Sequence, residues 1–140
     1  MSELLVSSCV EDLLTKIKSI SDLRNKVHHV YTESELADKT KGLNYPVVAV
    51  VYDGLAAVDS TRGLSGEINM SIMLFFKAQA YGTANQTLDA VDLLDTVRGV
   101  ILDKVSPSGH KWKFKAEVGS QGDKGVYIYM QRWSTPCQLV

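Results

Sequence analysis

Cysteine is scarce in this chain, with two residues, Cys9 and Cys137, in 140. At most one disulfide can form, and only if the fold brings the two sulfurs close. Two reduced thiols in a reducing compartment are the simpler expectation. A surplus of charge is missing too. The formal net charge is −1, whereas a protein that wraps nucleic acid carries a basic excess to neutralise phosphates. No apolar run approaches the ~20 residues that span a bilayer. The opening Met1-Ser2-Glu3-Leu4-Leu5-Val6 lacks the basic segment and unbroken apolar run of a signal peptide. Synthesis and use in the cytoplasm, away from membranes, are therefore expected. What remains is ordinary globular material. Hydrophobic residues make up 45% of the chain and charged residues 22%, enough to bury a core at this length without metals or bridges. Residues 1–140 are expected to form a single domain.

Signatures of chemistry are equally hard to find. His28 and His29 are adjacent, so on a strand they point to opposite faces. With His110 they make no recognisable metal-ligand spacing. Neither cysteine sits in a local nucleophile motif, Cys137 lies in what reads as a tail, and no Gly-x-Ser-x-Gly occurs. The glycine-rich residues 63–66 and 119–125 lack the Gly-Lys-Ser/Thr that opens a helix in a phosphate loop. The chain is expected to be no enzyme, to hold no metal or cofactor, and to work by touching other proteins. A site assembled from distant residues would fall on His28, His29 or His110 with Asp53 or Asp59.

The periodicities give the elements. Val6, Cys9, Val10, Leu13, Ile17 and Ile20 recur at three- and four-residue spacing, which predicts an amphipathic helix over residues 2–20. Residues 23–30 are ambiguous, with a short strand around Val27 to Tyr31 as one reading. Thr32-Glu33-Ser34-Glu35 is a capping box before a short helix over residues 33–40. Residues 45–52 are apolar on both faces and rich in β-branched side chains, as an interior strand is. Asp53-Gly54 should turn the chain into a loop over residues 55–66, and a second strand covers residues 67–77. Ala90, Leu93, Leu94, Val97, Val100, Ile101 and Val105 predict a long helix over residues 83–105, ended by Pro107 and Gly109. In residues 111–118, Trp112, Phe114, Ala116 and Val118 alternate inward against Lys111, Lys113, Lys115 and Glu117 outward. Residues 126–133 return as the second strand of a hairpin. The sum is an α+β fold, a single mostly antiparallel mixed sheet with an N-terminal helix and a long central helix packed on it.

Several features suggest contact with neighbours. The loop carrying Asp59 and Arg62 and the hairpin tip carrying Gln121, Asp123 and Lys124 are polar segments of the kind that order against partners. Tyr127, Tyr129 and Trp133 share one strand face, which needs a covering layer from this chain's own helix or from a neighbouring subunit. The tail from residue 133 to 140 is apolar enough to pack on the next copy. Asp89, Asp92 and Asp95 recur every three residues, as a solvated helix face or as a wall facing a neighbour or a lumen. Lysines along an edge strand blunt aggregation or meet an acidic partner.

Together these elements resemble the tail terminator, or tail completion, proteins of long-tailed bacteriophages. The likeness covers nearly the whole chain. It has an amphipathic N-terminal helix, the Pro-initiated strand Tyr45-Pro46-Val47-Val48-Ala49-Val50, the strand over residues 67–77, and a helix over residues 88–105. It closes with Gly109-His110-Lys111-Trp112-Lys113-Phe114 and Gln131-Arg132-Trp133-Ser134-Thr135-Pro136. The resemblance implies a homo-oligomeric ring of about six copies that caps the head-proximal end of the tail tube, ends its polymerisation and offers the head a joining surface. Its partners would be the tail tube protein, a head-completion or connector protein and, in a contractile tail, the sheath terminator region. DNA would pass through without sequence-specific binding. The chain would assemble in the host cytoplasm and reside in the neck of the virion. Another neck role, as head-closure or connector-adaptor subunit, is the alternative within the same class.

Overall fold

The computed structural model describes residues 2–24, 27–30, 47–58, 65–77, 83–121 and 126–138. In chain order these form helix α1 (Ser2–Lys18), a 3-10 turn (Ser21–Leu23), strand β1 (Val27–Val30), β2 (Val47–Val58), β3 (Ser65–Lys77), helix α2 (Thr83–Ile101), β4 (Lys113–Gln121) and β5 (Val126–Gln138). The strands make one sheet in the order β1-β2-β3-β5-β4. β1 runs parallel to β2, and every other pair is antiparallel. The architecture is thus α+β with a mixed, mostly antiparallel sheet.

Both helices pack on one face of that sheet. From α1 come Cys9, Val10, Leu13, Leu14 and Ile17, and from α2 Leu94, Val97 and Ile101. They meet Val48, Val50, Ile68, Met70, Ile72, Leu74, Trp133 and Cys137 of the strands. Each such aliphatic side chain, removed from water, contributes about 1.5–3 kcal/mol before chain entropy is set against it. A smaller cluster of Val47, Ala49 and Phe75 occupies the opposite face.

The apolar stripes of both helices are where the sequence puts them except at Val105, which lies past the helix and is 56% exposed, and both helices end earlier than expected. α1 stops at Lys18, and Ile20, still buried, is held by its N–H to the Ile17 carbonyl at 3.0 Å. α2 stops at Ile101, four residues before the expected end at Val105. Asp103 takes a left-handed φ of 63°, and Lys104 N–H bonds back to the Ile101 carbonyl at 3.0 Å. Short polar residues tolerate that conformation best after glycine. Pro107 and Gly109 lie beyond the helix, in a turn closed by Ser106 N–H to the His110 carbonyl at 2.8 Å. The short strand within residues 23–30 is β1. The expected helix over residues 33–40 lies outside the described residues.

Two β-bulges alter the expected strands. Asp53-Gly54 does not turn the chain: β2 continues through it to Val58, with a register shift between Tyr52 and Gly54 and a Gly54 φ of 121°. Glycine accommodates that backbone, so a dipeptide that reads as a hairpin turn serves as a kink inside one long strand. The expected loop over residues 55–66 is therefore strand at both ends. The second bulge falls between Phe114 and Ala116 in β4. Phe114 pairs with Trp133 on the helix side, but beyond the bulge Glu117 pairs with Gln131 there, and Ala116 and Val118 turn to the other face. One inserted residue inverts every later side chain. Alternation therefore fails within β4: Glu117 faces α2, while Val118 is exposed.

The expected C-terminal tail is strand as well. Residues 133–138 extend β5 along β3 as far as the pair Ser65↔Gln138. Pro136 is tolerated because β4 reaches only to the pair Lys113↔Ser134, so among the described residues no strand faces Pro136 on that side.

Candidate assembly surface

A buried polar chain fixes α2 to the sheet. Gln131, fully buried in β5, donates from Nε2 to the Leu94 carbonyl at 3.1 Å and to Glu117 Oε1 at 2.8 Å. Its Oε1 accepts from Trp133 Nε1 at 3.2 Å. Glu117 also takes a charge-assisted bond from Arg98, whose other nitrogen pairs with Asp95. The buried amide uses its donors and its acceptor, which makes its burial tolerable. On the far side of α1, Trp112 Nε1 donates to Asp12 Oδ2 at 2.9 Å, tying the segment before β4 to the N-terminal helix. Ser106, Ser108 and Thr135 form a mutual hydroxyl cluster, with Ser106 Oγ and Thr135 Oγ1 2.7 Å apart.

β4 is the sheet's edge, and its side chains are mostly exposed. Lys111, Lys113 and Lys115 are all in solvent, as expected of an edge protected by charge. Lys115 Nζ reaches Glu67 Oε1 at 2.9 Å on the face away from the helices. The Ser134 hydroxyl and the Lys115 ammonium together hold the Glu67 carboxyl below the usual carboxylate range. Phe114 packs edge-on against Trp133, with ring centroids 5.2 Å apart.

The residues singled out as partner contacts fare unequally. Trp133 is 1% exposed and lies in the chain's own core under the helices, so its covering layer is internal and its ring cannot meet a partner. Tyr129 packs against the same core and edge-on to Phe76, and Tyr127 is half-buried on the same strand face. Gln121 ends β4. Asp59, Arg62, Asp123 and Lys124 lie outside the described residues. Asp89, Asp92 and Asp95 all fall on α2; Asp92 and Asp95 are exposed, and Asp95 is paired with Arg98. The row is thus not a uniform negative strip. The sequence reading passed over Tyr52, Leu55, Phe114 and Val118, exposed large side chains at the sheet's margins. Phe114 and Val118 read as inward residues of an alternating strand, Tyr52 as part of an interior strand and Leu55 as loop, and only the strand order and the bulges show them exposed.

Of the candidates for chemistry, the two thiols are shielded, and Asp59 lies outside the described residues. His110 is exposed in the turn before β4, and His28 and His29 sit on β1. Asp53 accepts a hydrogen bond from Ser71 Oγ. Cys9 and Cys137 are both buried free thiols in one core cluster, and Cys137 is part of β5 rather than of a tail. Burial, then the nearby Asp12 and Cys137, push the Cys9 thiol up to about 11. Such a thiol is a poor nucleophile at neutral pH. Among the described residues, no group of three or more His, Cys, Asp or Glu side chains could hold a metal ion. No helix among them is long and apolar enough to cross a membrane.

No protein-family model matches the chain, and no curated protein matches it. Solved structures do. A chain of the virion of a native gene transfer agent particle superposes with a TM-score of 0.60 at 12% identity, over 93% of this chain and 92% of that one. At that identity the likeness is one of fold.

Proposed function

We propose that this chain is a structural subunit of a phage or phage-like particle. In this reading it forms a ring that caps the head-proximal end of the tail tube, ends tube polymerisation and presents the joining surface for the head. The observation that carries the reading is the end-to-end match to a virion chain: nearly all of both chains takes part, so the whole domain, rather than a shared motif, is common to them. The layout of elements that resembles tail terminators supports the narrower role. So do sheet margins that leave apolar side chains in water, where a subunit interface would cover them. The partners in this reading are further copies of the chain, the tail tube protein and a head-completion or connector protein. DNA passes through the ring, and Asp89, Asp92 and Asp95 are candidates for its wall.

The test is sedimentation with purified tail tubes and, separately, with the portal-side connector, alongside native mass spectrometry of the chain alone. Closed rings that bind tube ends and halt tube growth are expected. Binding to the connector with none to tubes would make the chain a head-closure or adaptor subunit instead. A monomer that binds neither would end the structural reading.

A further inference from the structure

The two described helices lie on one face of the sheet, and the other face is bare along β4 and β5. There Val118 is 54% exposed, Lys113, Ser120 and Arg132 stand in solvent, and Ala116, Ile128 and Met130 are half-buried. The small buried cluster on that face belongs to β2 and β3 and leaves the β4 end open. Charge on the open part is mainly positive. Lys113, Lys115 and Arg132 stand against Glu67, which Lys115 engages, while Asp53 lies across the sheet on β2. A sheet face with apolar side chains in water is ordinarily covered by a second layer, and a helix is a common one.

The outer surface of α2 is its counterpart. Val91, Asp95, Gly99 and Leu102 follow at four- and three-residue spacing, on the side turned away from the buried Leu94, Val97 and Ile101. Val91 and Leu102 are 44% and 47% exposed, and Asp92, Asp95, Thr96 and Gly99 stand in solvent. Arg98 is held by both Glu117 and Asp95, so this surface keeps a negative surplus. A Cβ at Gly99 would meet nothing within 4 Å, so a flat layer can come close at the middle of the stripe. The spacings agree as well. Asp95 lies about 6 Å along the helix from Val91, and Arg132, paired with Ala116, lies about 7 Å along the strands from Val118. The two surfaces stand back to back. α2 rests on β5 through the Gln131 bond to the Leu94 carbonyl, and Arg132, the next residue, points to the other side of the sheet.

We propose that the outer surface of α2 in one copy covers the bare face of β4 and β5 in the next, with Val91 on Val118 and with Asp92 and Asp95 toward Arg132 and Lys113. Two different surfaces meet, so the contact is heterologous and repeats head to tail until it closes. This joint rests on the ring reading above, and within it Asp92 and Asp95 face a neighbour rather than the channel.

The experiment reverses charge on one surface at a time, with native mass spectrometry as the readout and melting curves to confirm folding. One variant carries Asp92→Lys with Asp95→Lys, the other Lys113→Glu with Arg132→Glu, all at exposed positions. The unchanged chain should give closed rings. Each variant alone has two surfaces of the same sign and should give monomer. An equimolar mixture should recover rings holding equal numbers of the two, because each variant's helix now suits the other's sheet. Should a reversed variant unfold, Gly99→Gln repeats the test. Its side chain enters open space in the single copy, so it should melt no lower than the unchanged chain and still lose the ring. Rings formed by either reversed variant alone, or by Gly99→Gln, would overturn this joint while leaving the ring reading intact. A mixture that stays monomeric would overturn the pairing of these two surfaces. An unchanged chain that never self-associates, alone or on tubes, would remove the ring reading and this joint together.

Discussion

Replacing Gln131 by leucine should cost about 2 kcal/mol of stability, and the structure says where that comes from. Gln131 is fully buried and takes the Trp133 indole N–H at 3.2 Å, while Trp133 is 1% exposed. Leucine has similar bulk but no acceptor, so the indole donor is left buried and unpaired, at about 1–3 kcal/mol. Loss of the 2.8 Å bond to Glu117 adds less, because Arg98 still pairs with that carboxylate. The Leu94 carbonyl loses little, since it lies within a helix and has a helical donor. Greater apolarity of the new side chain offsets part of the total. In urea, where a chain of this size has a slope of roughly 2 kcal/mol per M, the midpoint should fall by about 1 M with the slope unchanged. Trp133→Phe removes the orphaned donor. In the Gln131→Leu background it should therefore cost about 1 kcal/mol less than in the unchanged chain. A midpoint that stays put or rises, or no coupling between the two positions, would refute the view that this amide is held for its hydrogen bonds.

Two further outcomes follow from the titrating groups. The folded-state pKa of Glu67 is lowered by Ser134 and Lys115, so its contribution to stability is complete above the ordinary value of 4.5 and is lost as pH falls through the lowered one. Melting temperature on the acid side should decline less steeply in Glu67→Gln, and an unaltered profile would dismiss the interaction. Cys9, buried and raised to about 11, should resist alkylation near pH ~8 in the native protein and react once urea unfolds it. Prompt labelling of Cys9 in native buffer would contradict its place in the core.

The parts of this fold that read correctly from sequence are those where periodicity and burial coincide. Cys9, Leu13 and Ile17 on α1 and Leu94, Val97 and Ile101 on α2 are spaced for one face, and all are buried on it. The α+β class followed from the order of such segments. The bulges did not. A bulge changes one residue's pairing, and the residues around Lys115 alternate as faithfully as those of an uninterrupted strand. Asp53-Gly54 misled for a related reason: aspartate and glycine favour the same unusual backbone whether it turns a chain or kinks it. Trp133 was assigned to the right strand face, but whether a helix of the same chain or another subunit covers that face depends on long-range packing. The exposure of Tyr52 and Phe114 was hidden for the same reason, since they stand toward the sheet's margins only through the strand order.

That order also constrains how the molecule comes to be. β5 is inserted between β3 and β4, and β3 meets it only across α2 and β4. While a ribosome is still adding residues 126–138, β3 has a bare hydrogen-bonding edge and the Trp133 position in the core is empty. Such a nascent chain exposes an apolar strand edge, a hazard for aggregation, and closure waits on distant pairing, which is slow. The sheet should therefore close in a single step once residues 126–138 are free to pair, and a chain in which they are not yet free should be a client for chaperones.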